Sequence, residues 1–210
     1  TLVYPVFSTG LLYYVDYVVI GQDIMIFLII FLLSIIGGSL FFPRKIEAWG
    51  GKRLMMYSLL MISVGFGILF FIGRNAMLAI IPFVVIGFFF AGASIANGIL
   101  IGDVIDNDEL ITGKRREAIY GGVNAIITKP AISLANWMFL STLTLFNFQE
   151  PMIVNGIAVK QPQTDLGITG ILVAFCLLPA FFISLGALAV HWFPLEGSEW
   201  LKKKAYLIQQ

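Results

Sequence analysis

Residues 76–131 read AMLAIIPFVVIGFFFAGASIANGILIGDVIDNDELITGKRREAIYGGVNAIITKPA. The stretch is apolar up to Ile101, dense in charge from Asp103 to Glu117, and apolar again beyond Tyr120, where Lys129 stands alone before Pro130. A crossing of the hydrocarbon core takes about 20 mostly apolar residues. The pattern therefore predicts two membrane helices joined by a charged segment. The same criterion applied outward predicts six spans in all, at 1–20, 24–42, 54–72, 76–101, 118–146 and 168–192, followed by a polar tail at 193–210. The whole chain of 210 residues is 59% hydrophobic and 12% charged, more apolar surface than a soluble domain of this size can bury. The expected class is an all-α, multi-pass membrane protein whose first partner is the lipid bilayer. A net charge of +1 argues against nucleic acid as a partner. The single cysteine, Cys176, falls in the last span and forms no internal disulfide.

Basic residues orient the spans, because cytoplasmic loops collect Lys and Arg. Arg44, Lys45, Lys52 and Arg53 lie between spans two and three, Lys114, Arg115 and Arg116 between spans four and five, and Lys202, Lys203 and Lys204 after span six. The opposite loops hold Arg74 and Lys160. Both termini of the segment are thus expected in the cytoplasm of a cell bearing this protein in its cytoplasmic membrane. The polar stretch 147–166, with Pro151, Asn155, Gly156 and Pro162, reads as an external loop or small hairpin. Gly37 and Gly38, Gly65 and Gly67, and Gly92 with Ala96 offer small faces for close helix approach. The chain shows no direct repeat, and an inverted three-plus-three arrangement leaves little trace in sequence.

Asp103, Asp106 and Glu109 recur every third residue, so a helix continuing from span four sets them on one face. One reading is a cytoplasmic charge lock, with these acids gripping Arg44, Arg53 or Arg115 in one conformation and releasing them in another. Another is a solvated helix that only sets topology. A third is a Mg²⁺ site of a membrane lipid transferase, for which the sequence lacks a second acidic cluster. No residue pattern calls for a bound cofactor.

Lys129 follows Glu117 by 12 residues, about 18 Å along a helix, which places it near mid-membrane. A lysine stem reaches only roughly 6 Å, too short to snorkel from there. An ammonium at that depth ordinarily faces a watery cavity or a partner. Asn124, Thr128, Ser133, Asn136 and Ser141 make the same span unusually polar. Lys129, Asn124 and Thr128 are therefore candidate solute-contacting or coupling residues, with Asn97 beside Ser94 as a milder candidate in span four. Asp16, among Tyr13, Tyr14 and Tyr17, is either an interfacial residue or part of an external gate.

These residues also resemble a family. Asp103-x-x-Asp106-x-x-Glu109, then Thr112-Gly113-Lys114-Arg115-Arg116-Glu117, then Tyr120-Gly121-Gly122-Val123 and Lys129 are similar to the loop between helices ten and eleven of the glycoside–pentoside–hexuronide:cation symporters, the melibiose-carrier branch of the major facilitator superfamily. Leu12-Tyr13-Tyr14-Val15-Asp16-Tyr17-Val18 resembles their seventh helix, and Gly50-Gly51-Lys52-Arg53 the end of their loop between helices eight and nine. The chain begins at Thr1 almost inside a span, so it is expected to be the C-terminal half of a twelve-helix carrier. The resemblance implies an N-terminal six-helix half as partner, and a sugar or related solute moved by alternating access with Na⁺, H⁺ or Li⁺. The coupling ion would be held mainly by that other half. It implies a cytoplasmic gate at Asp103, Asp106, Glu109 and Arg115, extended on charge grounds to Arg116 and Arg53, and a coupling or sugar-site lysine at Lys129. The middle of span four departs from the family, offering Ser94 and Asn97 where sugar carriers present an aromatic platform. Relatives that share the loop carry lysolipids or other solutes.

Overall fold

The computed structural model describes residues 3–154, 157–197, 200 and 203. Thr1 and Leu2 of the expected first span, Asn155 and Gly156, and residues 198, 199, 201, 202 and 204–210 of the tail, Lys202 and Lys204 among them, lie outside them. The chain forms α1 (Val3–Tyr17), α2 (Ile24–Phe41), α3 (Pro43–Ile72), α4 (Ala76–Thr112) and α5 (Glu117–Leu145), then β1 (Met152–Val154) and β2 (Ile157–Val159). It closes with α6 (Asp165–Leu172), a π turn (Val173–Leu177) and α7 (Leu178–His191). The last three run on as a single helical rod, Asp165–His191. It, α2, the Ala48–Ile72 part of α3, and α4 are each long and apolar enough to cross a membrane. β1 and β2 pair antiparallel, Met152 opposite Val159, as a hairpin in the polar segment.

Turn chemistry explains the short connections. Asp23 caps α2 by accepting from Met25 N at 2.9 Å, and Asn75 caps α4 by accepting from Met77 N at 3.0 Å and Leu78 N at 3.2 Å. The expected loop between spans two and three is instead helical. Pro43 has no N–H to extend the ladder of α2, so the chain turns at Phe42 and starts a new helix at once. That helix breaks at Gly50, whose φ of 74° and ψ of 158° belong to a region open essentially to glycine.

α4 also runs past its expected end at Ile101. Its 37 residues extend about 55 Å against a hydrocarbon core of about 30 Å, so its last turns stand clear of lipid and carry the acids with them. A Cβ on Gly51 would meet Ile99 at 2.9 Å, which sets Gly51 level with Ile99 at that end of the bundle. Lys52 and Arg53 bind Glu196 there at 3.2 and 3.4 Å. Arg74 binds Asp165 at 3.4 Å at the other end.

α2 and α3 both pack on α4, α3 packs on α7, and α1 packs on α5. Exchanging the first three spans with the last three maps the α2–α4 contact onto α1–α5 and the contact of α3 with the last rod onto itself. An inverted three-plus-three arrangement gives this neighbour pattern. Between helices in lipid, shape complementarity replaces the hydrophobic effect. Gly38 accordingly lies against the Phe88 carbonyl and Ala91, and Gly65 against Ile86, whereas a Cβ on Gly67 would meet nothing within 4 Å among the described residues.

At the centre the rings of Phe7, Tyr14, Phe31, Phe66, Phe83 and Phe175 interlock, with Phe7 stacked on Phe31 at 4.5 Å. The Tyr14 hydroxyl donates to the Gly73 carbonyl at 2.5 Å, tying α1 to the end of α3. The π turn has a local cause. Pro179 gives no N–H and its ring crowds the preceding carbonyls, so the Leu178 N–H bonds five residues back, to Val173 O. α2 shows the lipid-facing pattern: Phe27, Phe31 and Gly38 are buried while Met25, Ile29, Leu33, Ile36 and Leu40 are exposed.

Candidate functional site

The charged segment folds back on itself. α4 ends at Thr112, and Gly113 takes the left-handed conformation (φ 66°) that lets its N–H reach Glu109 O at 2.8 Å. The reversal lays Arg115 and Arg116 over the last turns of α4. Arg115 reaches Glu109 at 3.0 Å, Asp106 at 3.6 Å and Glu117 at 2.6 Å. Arg116 grips Asp108 with two parallel bonds, Nε to Oδ2 at 2.8 Å and a second from Nη2 to Oδ1. Asp103 and Asp108 are buried, 7% and 9% exposed.

Asp108 lies on the part of α4 beyond the lipid. The bonds from Arg116, partly opposed by burial, hold its carboxyl below the usual carboxylate range. The same bonds raise the guanidinium of Arg116, and those from Glu117 chiefly raise that of Arg115. Among the described residues no group of three or more acids, histidines or cysteines is arranged to hold a metal ion. The acid oxygens of Asp106, Asp108 and Glu109 face guanidinium groups.

Asp106 and Glu109 thus gather on Arg115, while Arg116 pairs separately with Asp108. Arg53 has Glu196 as its ion-pair partner, and Arg44 donates to Leu40 O at 2.6 Å. Asp108 was not among the residues expected to form the lock. It lies off the every-third-residue stripe, and its pairing depends on the Gly113 reversal. A glycine directly after a long helix and just before two arginines was the signal for it.

The polar candidates occupy uncovered faces. Ser94 and Asn97 on α4, and Asn124, Lys129 and Ser133 on α5, are all exposed in the bundle. A Cβ on Gly98, Gly121 or Gly122 would meet nothing within 4 Å among the described residues. On α5 these polar and small residues share the exposed surface with Val123, Ile126, Ile127, Leu134 and Trp137, whereas the exposed surface of α2 is mainly Ile and Leu. Thr128 is half-buried, and its hydroxyl donates to Asn124 O at 2.6 Å, so its donor is already engaged.

Asp16 lies near the opposite end of the bundle. Its carboxylate takes Lys160 of the segment after β2 at 2.6 Å. Tyr13 and Tyr17 stack beside it at 6.1 Å, and the group borders a recess of about 260 Å³ with Leu12 and Pro151.

Comparison with known proteins agrees with this arrangement. Residues 1–197 match the family model described as MFS/sugar transport protein. A relative from Bacillus subtilis (strain 168), described as the uncharacterized symporter YnaJ, is 26% identical over 163 residues, covering 76% of this chain and 33% of the relative. The chain therefore spans a third of that curated relative's length by its matched region. A match over nearly the whole sequence, on a bundle of membrane-crossing helices, places the chain in a family: it belongs to the MFS/sugar transport proteins.

Proposed function

We propose that this chain is the C-terminal six-helix half of a secondary transporter that moves a sugar or related small solute together with Na⁺ or H⁺ by alternating access. The observation that carries the reading is Lys129 itself, exposed on α5 at mid-membrane depth. A lipid-facing helix would not keep an ammonium and an asparagine there. A face turned to a water-filled path between two halves would. In this reading Lys129, with Asn124 and Asn97, contacts the solute or sets the potential of its cavity. Thr128 shapes the same helix from beside them, and Asp16 belongs to the external side.

Asp103, Asp106, Asp108, Glu109, Arg115 and Arg116 close the cytoplasmic side. Arg53 works from the neighbouring helix through Glu196. The N-terminal half supplies the facing wall and the carboxylates for the coupling ion. Both ends of this segment lie in the cytoplasm, in accord with the basic residues gathered at that end. Transport, not catalysis, suits acids whose oxygens are already held by arginines.

The test is Lys129→Ala in the full-length protein reconstituted in vesicles. Gradient-driven uptake is expected to fall to background, with insertion and melting temperature unchanged. Uptake at the rate of the unsubstituted protein would overturn the role given to Lys129.

A further inference from the structure

α1 carries an exposed stripe, Ser8, Leu12 and Asp16, on successive turns of one face. Asp16 ends the stripe, and Lys160, directly after β2, reaches across that end to it at 2.6 Å. Lys160 has an acid closer in sequence, Glu150 at the foot of the same hairpin. Glu150 is exposed and holds no ion pair among the described residues. The lysine thus ties its hairpin to α1 rather than to itself.

The segment around Lys160 is built as a lever with a fixed base. The Gln163 side-chain amide accepts from Gln149 N–H at 2.9 Å and donates to Gln149 O at 2.7 Å, the exchange of bonds that a neighbouring strand would give. Phe148, next to that clamp, packs edge-on against Tyr13 at 5.5 Å and Tyr17 at 5.1 Å. Beyond the base, β1 and β2 pack chiefly on each other, and Met152 and Ile153 are 61% and 80% exposed. Among the described residues the Asp16–Lys160 pair is the one polar tie between this hairpin and a helix.

Strength decides what such a tie can do. Both partners are open to solvent, with side chains 40% exposed at Asp16 and 57% at Lys160. An exposed pair shifts an equilibrium by about fivefold at most, and salt weakens it further. That is enough to bias the hairpin toward α1 and too little to fix it there, while the clamp and the rings keep its base in place. Leu12, Tyr13, Asp16 and Tyr17 on one side and Pro151 and Lys160 on the other enclose a recess of about 260 Å³.

We propose that the β1–β2 hairpin is a strap over the end of the exposed stripe of α1, with Asp16–Lys160 as its latch. When the pair is made the strap covers the recess. When it breaks the hairpin swings about the Gln149–Gln163 clamp and uncovers it. That the strap guards a solute path rests on the function proposed above, whereas its two positions do not.

The experiment uses the full-length protein in lipid nanodiscs with spin labels on Ile20→Cys, past the end of α1, and Ile153→Cys, in β1. Both positions are exposed and neither borders the recess. Cys176 is buried and takes no label. Ile153 stands about 13 Å beyond Gln149 at roughly 3.3 Å per residue, so a swing about the clamp moves its label by several ångströms. Pulsed dipolar spectroscopy is expected to resolve two distances, the one that matches this structure being the more populated. Lys160→Gln and 1 M salt should each move the ratio toward the second distance by up to about fivefold, and Lys160→Asp by more. Exchanging the charges, Asp16→Lys with Lys160→Asp, should restore the original ratio, and Glu150→Gln should leave it unchanged. A single distance common to all these variants overturns the proposal, and so does a charge exchange that fails to restore the ratio. The labels read the hairpin without any uptake, so this test and that of Lys129 fail independently.

Discussion

Gly10 tests the packing of the bundle at its tightest point. A Cβ added there would lie at 3.1 Å from both Phe175 Cε2 and Cγ, and closer still to Cδ2. Carbon atoms in contact prefer about 3.5–4.0 Å, so the methyl overlaps the ring badly. The ring has nowhere to go: it is fully buried, with Phe7 at 5.8 Å, Tyr14 at 5.5 Å and Phe66 at 6.0 Å between centroids. It also sits on the π turn, whose backbone is fixed by Pro179. Overpacking of this kind costs about 1–3 kcal/mol. At about 2–4 °C per kcal/mol for a unit of this size, Gly10→Ala is expected to lower the melting temperature by about 2–12 °C. Scanning fluorimetry of the detergent-solubilised full-length protein reads this directly. Gly67→Ala is the internal control, because nothing lies within 4 Å of its Cβ position among the described residues and alanine is the better helix former. Phe175→Leu in the Gly10→Ala background should recover part of the loss, since contacting sites do not add. An unchanged melting temperature in Gly10→Ala, or equal losses at Gly10 and Gly67, would refute the close approach of α1 to the π turn.

Two further outcomes follow from the same geometry. Because Asp108 has its pKa lowered in the fold, its pairing with Arg116 contributes fully above the ordinary carboxylate value of about 3.9 and is lost as pH falls through the lowered one. The melting temperature of Asp108→Asn should therefore lie below that of the unsubstituted protein by a constant amount from pH 5 to 8, and the gap should close only below about pH 4. A gap that closes near neutrality would contradict the pairing. Gly50→Ala forces an alanine into a region reserved for glycine and should cost about 1–3 kcal/mol, visible as a lower melting temperature, although its Cβ would clash with nothing within 4 Å among the described residues.

The apolar runs identified most of the membrane helices because length and hydropathy alone decide whether a helix can cross lipid. α5 was harder. Its polar residues dilute it until it no longer meets that criterion, and three of them, Asn124, Lys129 and Ser133, are left exposed by the other helices. The acids of 103–109 and the arginines of 115–116 were legible as a charged group, because a stripe on a continuing helix needs only spacing. The assignment of partners was not. Asp108 with Arg116, Arg53 with Glu196 and Asp16 with Lys160 depend on how turns and a hairpin return the chain, which residue spacing does not encode. The π turn was foreshadowed by Pro179, but a proline inside a span equally permits a kink.

The central claim is that the exposed polar residues of α4 and α5 border a watery path. Single cysteines at Asn97, Asn124 and Lys129 of the full-length protein, with Leu33 and Ile29 of α2 as lipid-facing controls, test it directly. Cys176 is buried and contributes no background. Treated in membranes with a small water-soluble thiosulfonate, the three polar positions should react, faster by at least about tenfold than the two on α2, since a thiol in hydrocarbon is held as its unreactive neutral form. Reaction at Leu33 and Ile29 as fast as at Asn97, Asn124 and Lys129, or no reaction at any of those three, would contradict it.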